Sequence, residues 1–351
     1  MADLQTLVRE QMQRGGTPTY SFDDLHRRRD RKRRNGRIIE GALGLLVFAV
    51  LAAFLLVGLR FDRHQPARHT PTPTPSTAAA GARPFFLDLR TGDTTMLPTN
   101  LLAEKSQARV YETYSVSPDG TKLAYSPSFS FSSTGRDQMW VGGIDGTNVR
   151  TLRVPDGLNG YLPRWSPDGT TLVYQLRRGG TSDVGNLFLE NVSTGRRTQL
   201  TDLKLTDSSS WFLAARFAPD GKSVIFHLPR TPFPKWDVWS VPVTGGEPKL
   251  VLRHAAFAQY FPDGKTIAFT NTPFGAPSIQ IADPDGSRHT LVRAETPDGI
   301  VWPEISPDGS RIAYQDGGSI YVVRVSTGES SKVADGENAT WLDVDTLIIS
   351  P

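Results

Sequence analysis

Five aspartates recur at one place in the chain: Asp119, Asp168, Asp220, Asp263 and Asp308 each stand between a Pro and a Gly. A ring of carboxylates could hold a cation or move protons. The same placement serves a simpler purpose, because Asp in a tight turn accepts hydrogen bonds from the backbone just ahead of it. Equal placement in every copy favours that second use. Three histidines follow Asp119, namely His227, His254 and His289, and none lies at i, i+2 or i+4 to another. Local metal ligation is therefore not expected, and the three read as single, partly exposed side chains. Asp283-Pro284-Asp285-Gly286 starts like a calcium loop but lacks the further ligands and the closing Glu. No G-x-S-x-G elbow and no Gly-rich phosphate loop is present. With no Cys in 351 residues, disulfides, thiolate metal sites and thiol nucleophiles are excluded together. The expectation is a chain without catalytic machinery, metal or cofactor.

The remaining chemistry is that of recognition. Segments 127–137, 177–185, 201–212 and 229–236 read as long, irregular loops carrying rings and guanidinium groups. Phe129, Phe131, Tyr161, Trp211, Phe212, Phe233, Trp236 and Phe274 are the rings, with Arg136, Arg177, Arg178, Arg230 and Lys235 among them. Aromatic and Arg enrichment marks protein-binding surfaces. The residues chosen as partner-binding are Trp211, Phe233, Trp236, Arg177, Arg178 and Arg230. The competing use of such rings is to fill space between packed elements.

The elements that must position these loops are repeats. YSVSPDGTKLAY, PRWSPDGTTLVY, ARFAPDGKSVIF, AQYFPDGKTIAF and PEISPDGSRIAY place their Pro residues 49, 52, 43 and 45 residues apart. Pro pre-sets φ, Asp bonds back, and Gly accepts positive φ, so each copy is a hairpin. Pairs such as Leu172/Tyr174 and Ile312/Tyr314 alternate as one buried strand face requires. A shortened sixth copy, residues 340–350, carries Trp341 at the place of Trp165. Six further hairpins with Gly-containing turns alternate with these, beginning at residue 85. Twenty-four strands at this period predict an all-β, six-bladed propeller of four-stranded blades. The first element is half a blade and the last is the other half, so the N- and C-terminal strands should close the ring together.

Before the repeats, Ile38–Leu59 is 22 residues long with Glu40 as its one charge, enough to span a bilayer as a helix. Arg27–Arg37 puts eight basic residues directly before it. That predicts a single-pass cell-membrane anchor with residues 1–37 inside the cell and the rest outside. The basic tail reads as disordered and able to meet anionic lipid, and residues 1–26 read as the place for a cytoplasmic partner. Residues 60–83 include a Thr-Pro repeat and read as an extended spacer. The net charge of +3 comes from the tail, since residues 84–351 hold 25 basic and 29 acidic residues. A nucleic-acid-binding body is disfavoured.

The Ser/Ala-Pro-Asp-Gly hairpins resemble those of the TolB-like six-bladed propeller family over roughly residues 84–351. The N-terminal layout is similar to that of actinobacterial single-pass proteins, some of them associated with extracytoplasmic-function sigma factors. Such repeats occur in binding proteins, in sensors and in the propeller domain of prolyl peptidases, so the resemblance implies the fold. The apolar span, the missing catalytic motifs and the ring-bearing loops predict a membrane-tethered, extracytoplasmic, non-catalytic module that binds a protein, peptide or cell-envelope component. Two other readings stay open. One is a propeller hydrolase or lactonase with its site in the central channel. The other is a transmembrane signal relay.

Overall fold

The computed structural model describes residues 83–101, 112–127, 139–178, 185–203, 213–230, 235–271, 277–294 and 301–350. All of them fall in the compact unit Pro66–Pro351. The segments 1–37, 38–59 and 60–82 lie outside the described residues. Among the described residues no helix is long and apolar enough to cross a membrane.

The described chain forms 24 strands in six four-stranded sheets. The first blade runs Glu112–Val116, Lys122–Pro127, Met139–Gly143 and Arg150–Leu152. The second is Leu158–Trp165, Thr171–Arg178, Asn186–Asn191 and Arg197–Gln199. The third is Arg216–Phe217, Ser223–Arg230, Lys235–Pro242 and Lys249–Arg253. The fourth is Ala255–Tyr260, Ile267–Asn271, Ser278–Ala282 and Arg288–Arg293. The fifth is Val301–Ile305, Arg311–Asp316, Ser319–Arg324 and Ser330–Asp335. The sixth pairs Asn338–Trp341 and Thr346–Ser350 with Phe85–Asp88 and Thr94–Met96. Phe85 faces Ile349 and Leu87 faces Leu347, so both chain ends share one ladder, as the half-blades at either end require.

The five Pro-Asp-Gly turns of the repeat copies close in the same way. The Gly N–H donates to the carbonyl before the Pro at 2.8–2.9 Å, and the five Gly φ values lie between +67° and +76°. That region is open to Gly at little cost. The aspartates serve their own turns. Asp168 accepts from Ser166 Oγ at 2.6 Å and from the Thr170 N–H at 3.0 Å, and Asp308 accepts from Ser306 Oγ at 2.6 Å. Asp220 and Asp263 accept from the N–H groups of Lys222 and Lys265.

Stability comes from the joints between blades. Met139, Val141 and Leu152 of the first blade pack with Trp165, Leu172 and Tyr174 of the second. Similar clusters lie at every later joint, and the last joins Ile348 of the sixth blade to Leu123 and Tyr125 of the first. Tyr125, Tyr174, Phe226, Phe269 and Tyr314 are fully buried, one per Pro-Asp-Gly hairpin. Burying such a ring contributes about 2–3 kcal/mol. A closed ring of joints leaves no sheet stack with an open end.

Candidate functional site

The first strand of every blade lines the central channel. One residue before the large apolar residue of each copy, the six blades place Ser115, Arg164, Arg216, Gln259, Glu304 and Thr340 at one level. Three of these meet. Arg216 grips Glu304 with both ends of its guanidinium, Nη1 to Oε2 at 3.0 Å and Nη2 to Oε1 at 2.6 Å. Arg164 Nη2 donates to Glu304 Oε1 at 2.9 Å from 140 residues away in sequence. The side chains are only 11%, 12% and 8% exposed for Arg164, Arg216 and Glu304.

Burial weighs most heavily on the Glu304 carboxyl and by itself would raise its pKa. The adjacent guanidinium groups of Arg216 and Arg164 outweigh it and hold the pKa below the ordinary glutamate value. Burial likewise pushes Arg164 down to about 10, with Glu304 opposing and Arg216 adding to the fall. The group stays ionised at neutral pH and carries two positive charges against one negative. Arg164 Nη1 also donates to the Tyr114 carbonyl at 2.7 Å, which ties the second blade to the first.

Above this level, toward the ends where the first strands enter their blades, the backbone departs from regular pairing. The ladders skip between Tyr161 and Arg164, between Ala256 and Gln259, and between Val301 and Glu304. Leu162, Phe257 and Trp302 sit in those bulges with φ of 55°, 51° and 58°, and Ala214 takes 39° at the matching place in the third blade. A left-handed conformation at a bulky residue costs on the order of 1–2 kcal/mol, and bulges re-aim side chains. The first blade keeps an unbroken ladder from Glu112 to Val116.

The bulges assemble an aromatic run across three blades. Trp236 meets the His227 ring edge-on at 4.9 Å between centroids, His227 meets Phe257 at 4.8 Å, and Phe257 meets Trp302 at 4.7 Å. The Phe257 N–H donates to His227 Nδ1 at 3.1 Å, which leaves the proton of the neutral ring on Nε2. Trp302 reaches the channel lining beside Thr113, Arg164 and Glu304.

The expectation of three partly exposed histidines is corrected here. His254 and His289 are exposed, but His227 is 3% exposed, because two rings and a bulged backbone amide enclose it. Tyr161, expected on a loop, is a buried residue of a first strand. Of the residues chosen as partner-binding, Trp211 and Phe233 lie outside the described residues. Trp236 is half-buried within Lys235–Pro242, and Arg177 and Arg178 end the strand Thr171–Arg178, facing Asn159 and Leu158. Arg230 pairs with Lys235 at a strand end. The structure thus brings Trp236 into the aromatic run and keeps Arg177 and Arg178 on the second blade. The rings Phe129, Phe131, Phe212 and Phe274, with Arg136, lie outside the described residues. Among the described residues no three His, Asp or Glu side chains are grouped to hold a metal ion. The Arg164–Glu304–Arg216 group was not anticipated; the polar residues just before the apolar position in each copy were its one sequence signal.

No protein-family model matches the chain. Among curated proteins it is 30% identical over 126 residues to dipeptidyl-peptidase 5 of Porphyromonas gingivalis, covering 33% of this chain and 17% of that protein. It is 28% identical over 244 residues to the Tol-Pal system protein TolB of Francisella tularensis, covering 55% of this chain and 54% of the relative. The chain therefore spans about half the length of one relative and less of the other. Among solved structures, a putative TolB from Agrobacterium tumefaciens superposes with a TM-score of 0.57 at 16% identity, covering 76% of this chain and 97% of that one. An oligogalacturonate lyase in complex with manganese superposes with a TM-score of 0.50 at 18% identity, covering 76% and 82%. The fold is that of the TolB-like six-bladed propellers.

Proposed function

We propose that the chain is a single-pass, N-in membrane protein whose extracytoplasmic propeller binds a protein, peptide or other cell-envelope component without catalysis of its own. The observation that carries the binding reading is the aromatic run from Trp236 through His227 and Phe257 to Trp302, held by strained backbone at its last two members. Strain of this kind persists where the surroundings enforce it and concentrates at functional sites. Rings beside a rigid channel are anchors for a partner side chain or backbone. The similarity to a Tol-Pal system protein supports an envelope partner. The absence of catalysis is supported by the channel carboxylate Glu304, which is engaged by two guanidinium groups and is not poised to take or give a proton. The anchor rests on the 22 apolar residues at 38–59 and the basic flank before them.

The test is a photo-crosslinking amino acid placed at Phe257 in the full-length protein in intact cells. The expected result is one discrete adduct with an envelope component, lost when Trp302 is cut to Gly. No adduct, or one that ignores Trp302, contradicts the reading.

A further inference from the structure

On the other side of the Arg–Glu–Arg group, toward the Pro-Asp-Gly turns, the channel opens into a cavity of about 330 Å3. Arg164, Arg216 and Gln259 line it, with the rings of Trp165, Phe217 and Tyr260 and the turn prolines of four blades. Three of those prolines, Pro167, Pro262 and Pro307, are exposed, so the cavity has an entrance at the turn end. Glu304 is absent from this lining and belongs to the lining of the opposite, loop-ward side of the group. A ligand entering from the turns therefore meets the two guanidinium groups with the carboxylate behind them.

The donors are not used up. A guanidinium has five N–H groups. Among the described residues Arg164 spends two, on Glu304 and the Tyr114 carbonyl, and Arg216 spends two, both on Glu304. Gln259 accepts the Ile305 N–H at 3.1 Å with its side-chain oxygen, and its amide NH2 has no acceptor among the described residues. These spare donors face the open cavity, where a ligand can reach them, and an excess positive charge of one lies beside them. The volume falls at the small end of the range for ligand pockets.

We propose that this cavity binds a small organic monocarboxylate with an apolar, preferably aromatic, body. The carboxylate lies against Arg164, Arg216 and the Gln259 amide, and the body lies against Trp165, Phe217 and Tyr260. Charge sets the class: one carboxylate balances the excess of one, whereas a dianion would leave a buried net negative charge. The apolar walls set the body, since a bare inorganic anion would leave them in contact with water. This site is separate from the aromatic run, so it stands or falls independently of the partner-binding reading.

Isothermal titration calorimetry on the full-length protein in detergent tests the proposal with phenylacetate and, as its neutral counterpart, phenethyl alcohol. Phenylacetate should bind saturably, and the alcohol about tenfold more weakly or worse, the worth of a charge-assisted hydrogen bond. Arg216→Gln should weaken phenylacetate by about tenfold. If that variant does not fold, Glu304→Gln decides, because removing the opposing charge should tighten phenylacetate binding. Equal binding of acid and alcohol, no saturable heat with phenylacetate, undiminished binding in Arg216→Gln, or weaker binding in Glu304→Gln would each overturn the proposal.

Discussion

The indole Nε1 of Trp341 donates to the backbone carbonyl of Glu304 at 2.8 Å. Trp165 does the same to Ser115 at 3.0 Å, one blade to the next at the matching position. The closing blade thus holds the backbone that carries the channel carboxylate. The Arg311 guanidinium covers the Trp341 ring at 5.4 Å and bonds Asp345 at 2.9 Å, so closure and channel chemistry share residues.

Trp341→Phe keeps a ring but loses the bond to the Glu304 carbonyl, and should cost about 1 kcal/mol. Trp341→Ala also opens a cavity between the fifth and sixth blades and should cost about 3–5 kcal/mol. Chemical denaturation of the two variants checks both values and their order.

Removing residues 84–98 takes away two of the four strands of the sixth blade and exposes the ladder edge of Leu347–Ile349. Aggregation, or a broad and non-cooperative melt, is the expected outcome on size-exclusion chromatography and calorimetry. A monomer that melts at the parent temperature would show that the blade stands without its N-terminal half.

Glu304→Ala leaves two guanidinium groups buried without their anion and should destabilise by about 3–5 kcal/mol. Replacing Arg164, Arg216 and Glu304 together by Met should cost far less, because no charge is then stranded. Comparing the single and triple variants in urea separates stranded charge from lost packing.

The pH dependence has a definite sign. The Glu304 carboxyl titrates below its ordinary value when folded, so its stabilisation is complete above the ordinary carboxylate range of about 4 and is lost as pH falls through the folded value. The turn carboxyls Asp119 and Asp308 are held at about 2, first of all by the hydroxyls of Ser117 and Ser306. Ser117→Ala should raise the Asp119 pKa while leaving Asp308 in place, as read by carboxyl NMR titration. Equal shifts at both would contradict separate, self-contained turns.

Trp236→Ala should cost about 1–3 kcal/mol, since its ring packs on buried His227. Arg178→Ala, at an exposed strand end, should change stability by no more than about 0.5 kcal/mol. Thermal melts of the pair distinguish a ring that supports the aromatic run from a purely surface contact.

The blades were legible because each Pro-Asp-Gly hairpin carries its own turn chemistry and its own alternation, and because the half-blades at 85–97 and 340–350 announce closure. Arg164, Arg216 and Glu304 were not, although they occupy one repeat position. That position holds Ser, Arg, Arg, Gln, Glu and Thr in turn, so it shows no pattern along the chain, and only ring closure brings residue 304 to residue 164. His227 was misjudged as partly exposed for a related reason. Its burial depends on the bulge at Phe257, a backbone event that leaves no mark on the alternation of apolar residues.

The central claim is that the propeller binds an envelope component through the aromatic run and leaves it chemically unchanged. Its most direct measurement is the equilibrium affinity of the full-length protein and of Trp302→Gly for the component crosslinked at Phe257, with that component analysed by mass spectrometry after incubation. Gly accepts the φ of 58° at this site, so the fold should persist while the anchor ring is lost. The account predicts binding weakened by about tenfold or more, an unaltered component, and a melt close to that of the parent protein. Equal affinity in the two proteins, or a cleaved or otherwise converted component, would contradict it.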